Sequence, residues 1–588
     1  MFSRLVINEN TGGRTLSYEI RPLERSFGLE TELAVRFNRD SPHESTQSCL
    51  DIYHAICRDL RQHSAAAPAP GGPAKQGLYF ANGSAIWFET QTLGTDGLIE
   101  VCTPECKDPM ELAANHAAME KVLAGAAAKL SGDVGLLKNC LDPRGIVYGA
   151  QENYEVIGFD DEEASKWRDG IERLKWIDRT LLLGIAICPL VVLALLYLLP
   201  TTALLASLGA MVVSYFGLCW IRGRWLSPSL VLQSFICFFL SPKSFYLSRF
   251  YHRMKIGRTY EKVKPFIVSR VIWSGAGGVD HKGRLFLGQK AKSRNIDWLV
   301  LLADIQKPIF CFNYLFKECF RQQTTVEIYP IADRLMSKRQ RLCLSVGDSN
   351  MSQEVNWLKV ATTSLVLDAI EAGAIREIPT LDNAITALRT INNDPSLESA
   401  VSTSRGQMTA IEIQQFYLNA CRQYVESFED PLPQALEVLK CWNDFLIRLK
   451  TDQESLVGRV DWITKREIMR AVVKKCGYLT ADQAMGTADE FKGFKNLPAL
   501  QKADLKFHEL GAAGYNQQLV DGGATDSMLN HEELDRASRM PPSVATAAQR
   551  CRYIREFGDQ IEWITWDEVK LRDEAPKNFR VQQIVEAN

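Results

Sequence analysis

Glu30 and Glu32 stand one residue apart in the stretch Phe27-Gly28-Leu29-Glu30-Thr31-Glu32-Leu33-Ala34. In an extended chain successive side chains alternate faces, so both carboxylates point one way while Leu29, Thr31 and Leu33 point the other. Two carboxylates side by side repel unless a cation or a proton lies between them. Mg²⁺ takes oxygen ligands of this kind, commonly together with substrate phosphates. A Glu-x-Glu pair by itself is also the ordinary face of a strand in water, so its meaning depends on the residues later in the chain.

More acidic groups occur at positions that strands would bring together. Asn82-Gly83 lies between the β-prone runs Leu78-Tyr79-Phe80 and Ala85-Ile86-Trp87-Phe88. It reads as a hairpin turn that presents Glu89 at the end of a strand. After a loop, Thr90 to Gly97, the chain returns through Leu98-Ile99-Glu100-Val101-Cys102. Further on, Lys138-Asn139-Cys140-Leu141-Asp142 and Gly149-Ala150-Gln151-Glu152-Asn153-Tyr154 place acidic and amide groups at strand ends. That is the pattern of a sheet whose concave face holds nucleotide phosphates and metal ions.

Helices must back such a sheet. Gln47 to Leu60 has helical periodicity, with Cys49, Ile52, Ala55, Ile56 and Leu60 on one side. Lys107 to Gly132 reads as a helix rich in Ala and Leu that starts at Asp108-Pro109. Between them Ala65 to Lys75, rich in Ala, Pro and Gly, reads as a surface loop.

The 588 residues suffice for two or more folded units. Lys+Arg 68 against Asp+Glu 70 gives no support to nucleic-acid binding. The 15 cysteines form no Cys-x-x-Cys pair, and Cys102 with Cys106 has no matching second pair, so reduced thiols are expected and a zinc site is not. The start, Met1-Phe2-Ser3-Arg4-Leu5-Val6, lacks the apolar core of a signal peptide.

Leu181 to Leu199 and Ala203 to Ile221 are apolar runs joined by Pro200-Thr201-Thr202. Each approaches the ~20 residues that a helix needs to cross a bilayer. Basic residues flank both outer ends: Lys166, Arg168, Arg173, Lys175 and Arg179 before, Arg222 and Arg224 after. The expectation is a transmembrane helical hairpin in the cell membrane, with both large flanking parts in the cytoplasm. Leu230 to Leu240 is too short to span.

The ordered motifs then resemble one family. They are Asn82-Gly83 with Glu89, Glu100 with Thr103-Pro104-Glu105, and Lys138-Asn139, Asp142, Gly145, Tyr148-Gly149 and Glu152-Asn153-Tyr154. They continue in Pro265 to Gly277, Val346 to Ser352, Trp357 to Val360, Asp461 to Arg466, Pro541-Pro542 and Trp563 to Asp573. Their types and order resemble the Pup ligase and Pup deamidase/depupylase family over nearly the whole chain except residues 157–262.

The resemblance implies an α+β fold like that of glutamine synthetase: a large antiparallel sheet cradle packed with helices, and a small C-terminal domain. It divides the chain into a ligase-like catalytic domain (1–156 and 263–480), the inserted membrane region (157–262) and the C-terminal domain (481–588). It implies ATP and Mg²⁺ as cofactors, a small Pup-like modifier and lysine-bearing target proteins as partners, and no nucleic acid. The implied reaction phosphorylates the side-chain carboxylate of the modifier's C-terminal glutamate, which a target lysine then attacks to form an isopeptide bond. By position, Glu30, Glu32 and Glu100 are the implied metal ligands and Glu89 the catalytic carboxylate. Lys138, Asn139, Asp142, Glu152, Asn153, Arg270, Asp348, Asn350, Trp462 and Arg466 are the implied nucleotide-binding residues.

There are departures. Glu89 stands for the family's aspartate, Trp87 for a tyrosine near the metal, Gln151 for a histidine and Ala85 for an arginine. The loop between Glu89 and Glu100 is longer, and an Arg-Asp-Glu-Pro segment is not recognisable in Ile328 to Arg341. The Arg36–Phe80 interval has the length of the ligase branch and lacks the long loop of the deamidase branch. A membrane-anchored ligase is therefore the leading reading, a deamidase or depupylase of the same family the second, and an inactive modifier-binding tether the third.

Overall fold

The structure, a computed structural model, describes residues 5–6, 17–18, 20–37, 48–72, 75–90, 96–131, 133–198, 255–292, 310–312, 338–477, 484–525 and 527–578. The chain divides into two compact units. The first comprises Met1–Val156, Thr259–Ile296 and Arg341–Asn588, and the second Ile157–Arg258 and Asp297–Gln340.

The first unit is α+β and is built on a large antiparallel sheet. Its elements begin with β1 (Phe27–Arg36), α1 (Cys49–His63), β2 (Ala66–Pro68), β3 (Lys75–Phe80), β4 (Ala85–Glu89) and β5 (Leu98–Cys102). They continue with α2 (Pro109–Ala128), β6 (Gly135–Leu137) and β7 (Ala150–Ile157). After α3 (Asp161–Leu198), which belongs to the second unit, the chain comes back through β8 (Arg339–Leu344). The strand order is β8-β7-β1-β5-β4-β3-β2, with β6 also paired to β1.

Alternation along these strands makes two chemically different faces. Leu33 of β1, Leu78 and Phe80 of β3, Ile86 and Phe88 of β4, and Ile99 and Val101 of β5 form one apolar cluster. It includes Ile52, Ile56 and Leu60 of α1 and Met119 and Leu123 of α2. Both helices start with side-chain caps. Ser48 and Asp51 make a reciprocal capping box for α1, and Asp108 accepts from the Met110 and Glu111 amides with Pro109 in the first turn of α2. The β3–β4 turn is the expected Asn-Gly turn, with Gly83 at φ +92° where a side chain would be strained. The segment read as a surface loop differs: Ala66–Pro68 pairs with β3 as an edge strand, and Lys75 opens β3. Edge placement tolerates Pro68 because its missing N–H faces away from a partner.

Further helices include α4 (Gln353–Glu371), α5 (Ala410–Glu426), α6 (Pro433–Thr451), α7 (Asp461–Lys475), α8 (Leu497–Phe507) and α9 (Ala545–Phe557). Helix α4 is buried over most of its length. It is tied to the start of β1 by Arg25, whose guanidinium bonds Asp368 at 2.6 and 2.9 Å and Glu371 at 2.8 Å. Arg25 also donates to the Glu155 carbonyl at 2.6 Å, which joins β7 to the same point. The C-terminal strands β9 (Ile561–Ile564), β10 (Glu568–Leu571) and β11 (Lys577–Asn578) form a small sheet. With Ile554 of α9, β9 and β10 pack on Ala67, Tyr79, Ala85 and Cys102, at one end of the second sheet face.

Within the second unit α3 is a continuous helix, with Trp167, Ile171 and Leu174 buried and the Phe159 and Trp167 rings 5.7 Å apart. Here the membrane expectation is corrected. Among the described residues no helix is long and apolar enough to cross a membrane, which overturns the reading of a chain anchored in the cell membrane with its catalytic domain facing the cytoplasm. The first apolar run is not a separate span: it continues α3, whose earlier part from Asp161 to Arg179 is rich in charge. A hydropathy window registers the apolar stretch and misses the charged stem of the same helix. The second run and Leu230 to Leu240 lie outside the described residues.

Two outcomes are expected from this packing. Arg25→Met leaves Asp368 and Glu371 buried without their cation and is expected to lower unfolding stability by about 3–5 kcal/mol, read from denaturant midpoints. His116 of α2 is buried with its Nε2 3.3 Å from Thr31 Oγ1, and burial pushes its pKa down to about 4. The unfolded chain then takes up a proton below about pH 6.5 that the folded chain refuses, so stability present above that pH is lost as pH falls toward 4, by up to about 3 kcal/mol. His116→Asn is expected to flatten that part of the stability–pH curve; an unchanged slope would contradict a buried neutral imidazole.

Candidate functional site

The register brings the acidic residues together. Glu32 of β1 faces Glu100 of β5, and Glu100 in turn faces Trp87 of β4. Glu30 lies two residues from Glu32 and faces Gln151 of β7, while Asn153 faces Gly28 one step further along. Glu89 lies two residues from Trp87 and opposite Lys75 of β3. By strand alternation Glu30, Glu32, Glu89, Glu100 and Asn153 all share the face opposite the α1–α2 core.

Two cations lie among these carboxylates. The Lys75 ammonium is 3.2 Å from Glu89 Oε2 and in closer contact with Glu100 Oε2. Arg341 of β8 reaches Glu30 Oε1 at 2.5 Å and the Asn153 side-chain oxygen Oδ1 at 2.8 Å, and the Asn153 side-chain amide donates to Glu30 at 3.0 Å. Glu32 accepts from the Gly149 amide. Burial, with Glu30 nearby, raises the Glu100 pKa to about 7 against the opposing pull of Lys75. Burial works against the Lys75 charge, but Glu100 and Glu89 outweigh it and hold its pKa above the ordinary lysine range. The face is thus dense in negative charge that local cations only partly neutralise.

Chemically this donor set suits a hard divalent cation, since it consists of carboxylate oxygens. It is not a finished cage: among the described residues no group of three His, Cys, Asp or Glu side chains is arranged to hold a metal ion. Lys75 pairs with Glu89 and Glu100, and Arg341 pairs with Glu30.

The remaining predicted residues sit elsewhere. Glu152 faces Leu29 across the β1–β7 ladder, hence on the other side of the sheet from Glu30. It is buried in an ion pair with Arg270, accepts from Tyr154 at 2.8 Å, and Arg270 donates to Thr363 at 2.6 Å. Asp348 accepts from the amides of Ala276, Gln289 and Lys290 at 2.7–2.8 Å. Asn350 donates to the Ser274 carbonyl and to Asp461, which also caps the Met351 and Ser352 amides. Lys138 is fully buried against Glu120, Asn139 donates to the Leu141 carbonyl, and Asp142 accepts from the Arg144 and Ile146 amides in a turn. Trp462 is buried with its indole N–H on the Ile272 carbonyl, and Arg466 stacks over it 5.2 Å from the ring centroid while donating to Gln453. Burial lowers the Lys359 pKa to about 8, and its ammonium donates to the Asp348 carbonyl and Asn350.

Sequence reasoning missed Lys75 and Arg341. A count outward from the Asn82-Gly83 turn would have found the first, because hairpin register sets Lys75 opposite Glu89. Arg341 carries no motif, and its signal is only the alternation of Arg341 and Cys343 in β8, where Cys343 contacts Gln151 at 3.2 Å.

Comparison with known proteins now bears on this geometry. A family model described as Pup-ligase protein matches residues 25–570. A Pup–protein ligase of Jonesia denitrificans is 30% identical over 243 residues, 40% of this chain and 50% of that protein. A depupylase of Acidothermus cellulolyticus is 30% identical over 314 residues, 52% of this chain and 56% of that protein. A Pup–protein ligase of Acidimicrobium ferrooxidans is 29% identical over 336 residues, 55% of this chain and 66% of that protein. The chain thus spans from half to about two thirds of the length of these curated relatives. The solved complex of the prokaryotic ubiquitin-like protein Pup with its ligase PafA superposes with a TM-score of 0.62 at 18% identity, over 97% of this chain and 93% of that one. PafA in complex with ADP superposes at 0.57 and 17% identity, over 91% and 93%. At such identities the likeness shows the fold. The match over residues 25–570 shows the family as well: the chain belongs to the Pup-ligase proteins.

Proposed function

We propose that this chain is an ATP-dependent, isopeptide-forming ligase that joins the side-chain carboxylate of a C-terminal glutamate, on a Pup-like protein, to a lysine of a target protein. The observation that carries this reading is the convergence of Glu30, Glu32, Glu89 and Glu100 on one sheet face. Family membership, relatives named Pup–protein ligases, and a fold shared with a ligase solved with Pup and with ADP support it.

A carboxylate is a poor acyl donor until one of its oxygens leaves as phosphate. ATP with Mg²⁺ would supply that phosphoryl group and the charge neutralisation its transfer needs, with Glu30, Glu32 and Glu100 holding the metal. Glu89, at the end of β4 and part exposed, takes the proton that an acceptor lysine must lose before its amine becomes a nucleophile. The Lys75 ammonium 3.2 Å from Glu89 supports the assignment in one respect: this carboxylate pairs with an ammonium group. Arg341 and Asn153 keep Glu30 oriented on the same face. Lys138, Asn139, Asp142, Glu152, Arg270, Asp348, Asn350, Trp462 and Arg466 shape the nucleotide side by fixing the loops and strands that border it.

The second reading is removal or deamidation of the modifier, favoured by the relative named a depupylase. The full chain, Mg-ATP, a Pup-like protein ending in glutamate and a lysine-bearing acceptor separate the two. The ligase reading expects a mass-shifted conjugate whose formation falls by roughly 10²–10⁴ in Glu89→Gln, the usual contribution of a positioned base. Release of modifier from a preformed conjugate, with no conjugation in the forward direction, would move the assignment to the hydrolase.

A further inference from the structure

We propose that Lys75 is a built-in cation of the carboxylate face, a positioning residue that takes the place of a divalent ion between Glu89 and Glu100. The inference rests on reading that face as the catalytic site, and it assigns the site a feature of its own.

Glu89 and Glu100 do not face each other: Glu89 faces Leu98, and Glu100 faces Trp87. A single group must therefore cross the Trp87 position to touch both. Lys75 does so from the neighbouring strand, with its ammonium 3.2 Å from Glu89 and in closer contact with Glu100. Gly77 makes the crossing feasible. It lies opposite Trp87, and a Cβ there would fall 2.2 Å from the indole Cε3, so the ring lies flat over a position with no side chain. The Lys75 ammonium sits 5.1 Å from the centroid of that ring. Indole is the strongest of the aromatic partners for a cation, and an ammonium on a four-carbon stem is a compact charge suited to bridge two carboxylates.

The cation is thus held by two carboxylates and one aromatic ring, and it is tethered to the chain. A divalent ion that sought the Glu89 and Glu100 oxygens would have to displace a charge that cannot diffuse away. Lys75 accordingly sets how many divalent ions this end of the face accepts and fixes the Glu89 carboxylate near Glu100.

The test is Mn²⁺ binding to the full chain without nucleotide or modifier, by equilibrium dialysis with metal analysis, for the parent, Lys75→Met, Lys75→Gln and Lys75→Arg. Removal of the ammonium is expected to add one bound Mn²⁺ per chain or to tighten binding by about tenfold or more, whereas Lys75→Arg behaves as the parent. Melting curves identify which uncharged variant is folded and usable. Equal stoichiometry and affinity in the parent and a folded uncharged variant would overturn the proposal. Because no modifier or nucleotide is present, a parent that forms no conjugate but differs from Lys75→Met here would sink the ligase reading and leave the role of Lys75 standing.

Discussion

Strand register is fixed by the core, and it forces Glu32 directly against Glu100. The apolar residues that alternate with them, Leu33, Ile99 and Val101, are buried against α1 and α2, so a slip of one residue would exchange core for charge. The acidic face cannot be relieved by sliding. It is relieved instead by cations, Lys75 at one end and Arg341 at the other, while burial and the nearby Glu30 push the Glu100 pKa up to about 7. Residual negative charge, held rigid by a sheet, is the condition for binding a divalent cation and for drawing a proton from an ammonium.

The two faces use polar groups for different ends. Opposite the carboxylates, Glu152–Arg270, Asp348 with its three amides, and Asn350 with Asp461 lock the loop 346–352 and the segment 270–277 against the sheet. These are buried groups with partners, the state in which burying charge is tolerated. On the carboxylate face Glu30, Glu32 and Glu89 are part exposed while Glu100 is buried beside Lys75, and cations on other strands pair with Glu30, Glu89 and Glu100. That contrast is why we propose Glu30, Glu32, Glu89 and Glu100 for the chemistry and the buried network for keeping them in register.

Much of this was legible in the sequence because it is written in local patterns. Alternation placed Glu30 with Glu32, Asn82-Gly83 gave the hairpin and with it Glu89, and Asp108-Pro109 marked the start of α2. The ordered motifs gave the family. The features that stayed hidden depend on contacts far apart in sequence. Glu152 sits next to Asn153, yet the pleat sends one to Arg270 and the other to Glu30, and a motif read as a unit does not divide its members between faces. Arg341 meets Glu30 across a separation that no periodicity encodes. The membrane expectation failed for the opposite reason: a local apolar window was given more weight than the helix that contains it.

The central claim is that chemistry resides on the carboxylate face while the opposite face holds the fold. The most direct measurement pairs Mg²⁺-dependent nucleotide affinity with unfolding stability in Glu32→Gln and Glu152→Gln. The account predicts that Glu32→Gln weakens Mg-nucleotide binding with little loss of stability, and that Glu152→Gln loses stability because Arg270 is left buried beside a neutral partner. Full Mg-nucleotide affinity in Glu32→Gln, with affinity lost at unchanged stability in Glu152→Gln, would contradict it.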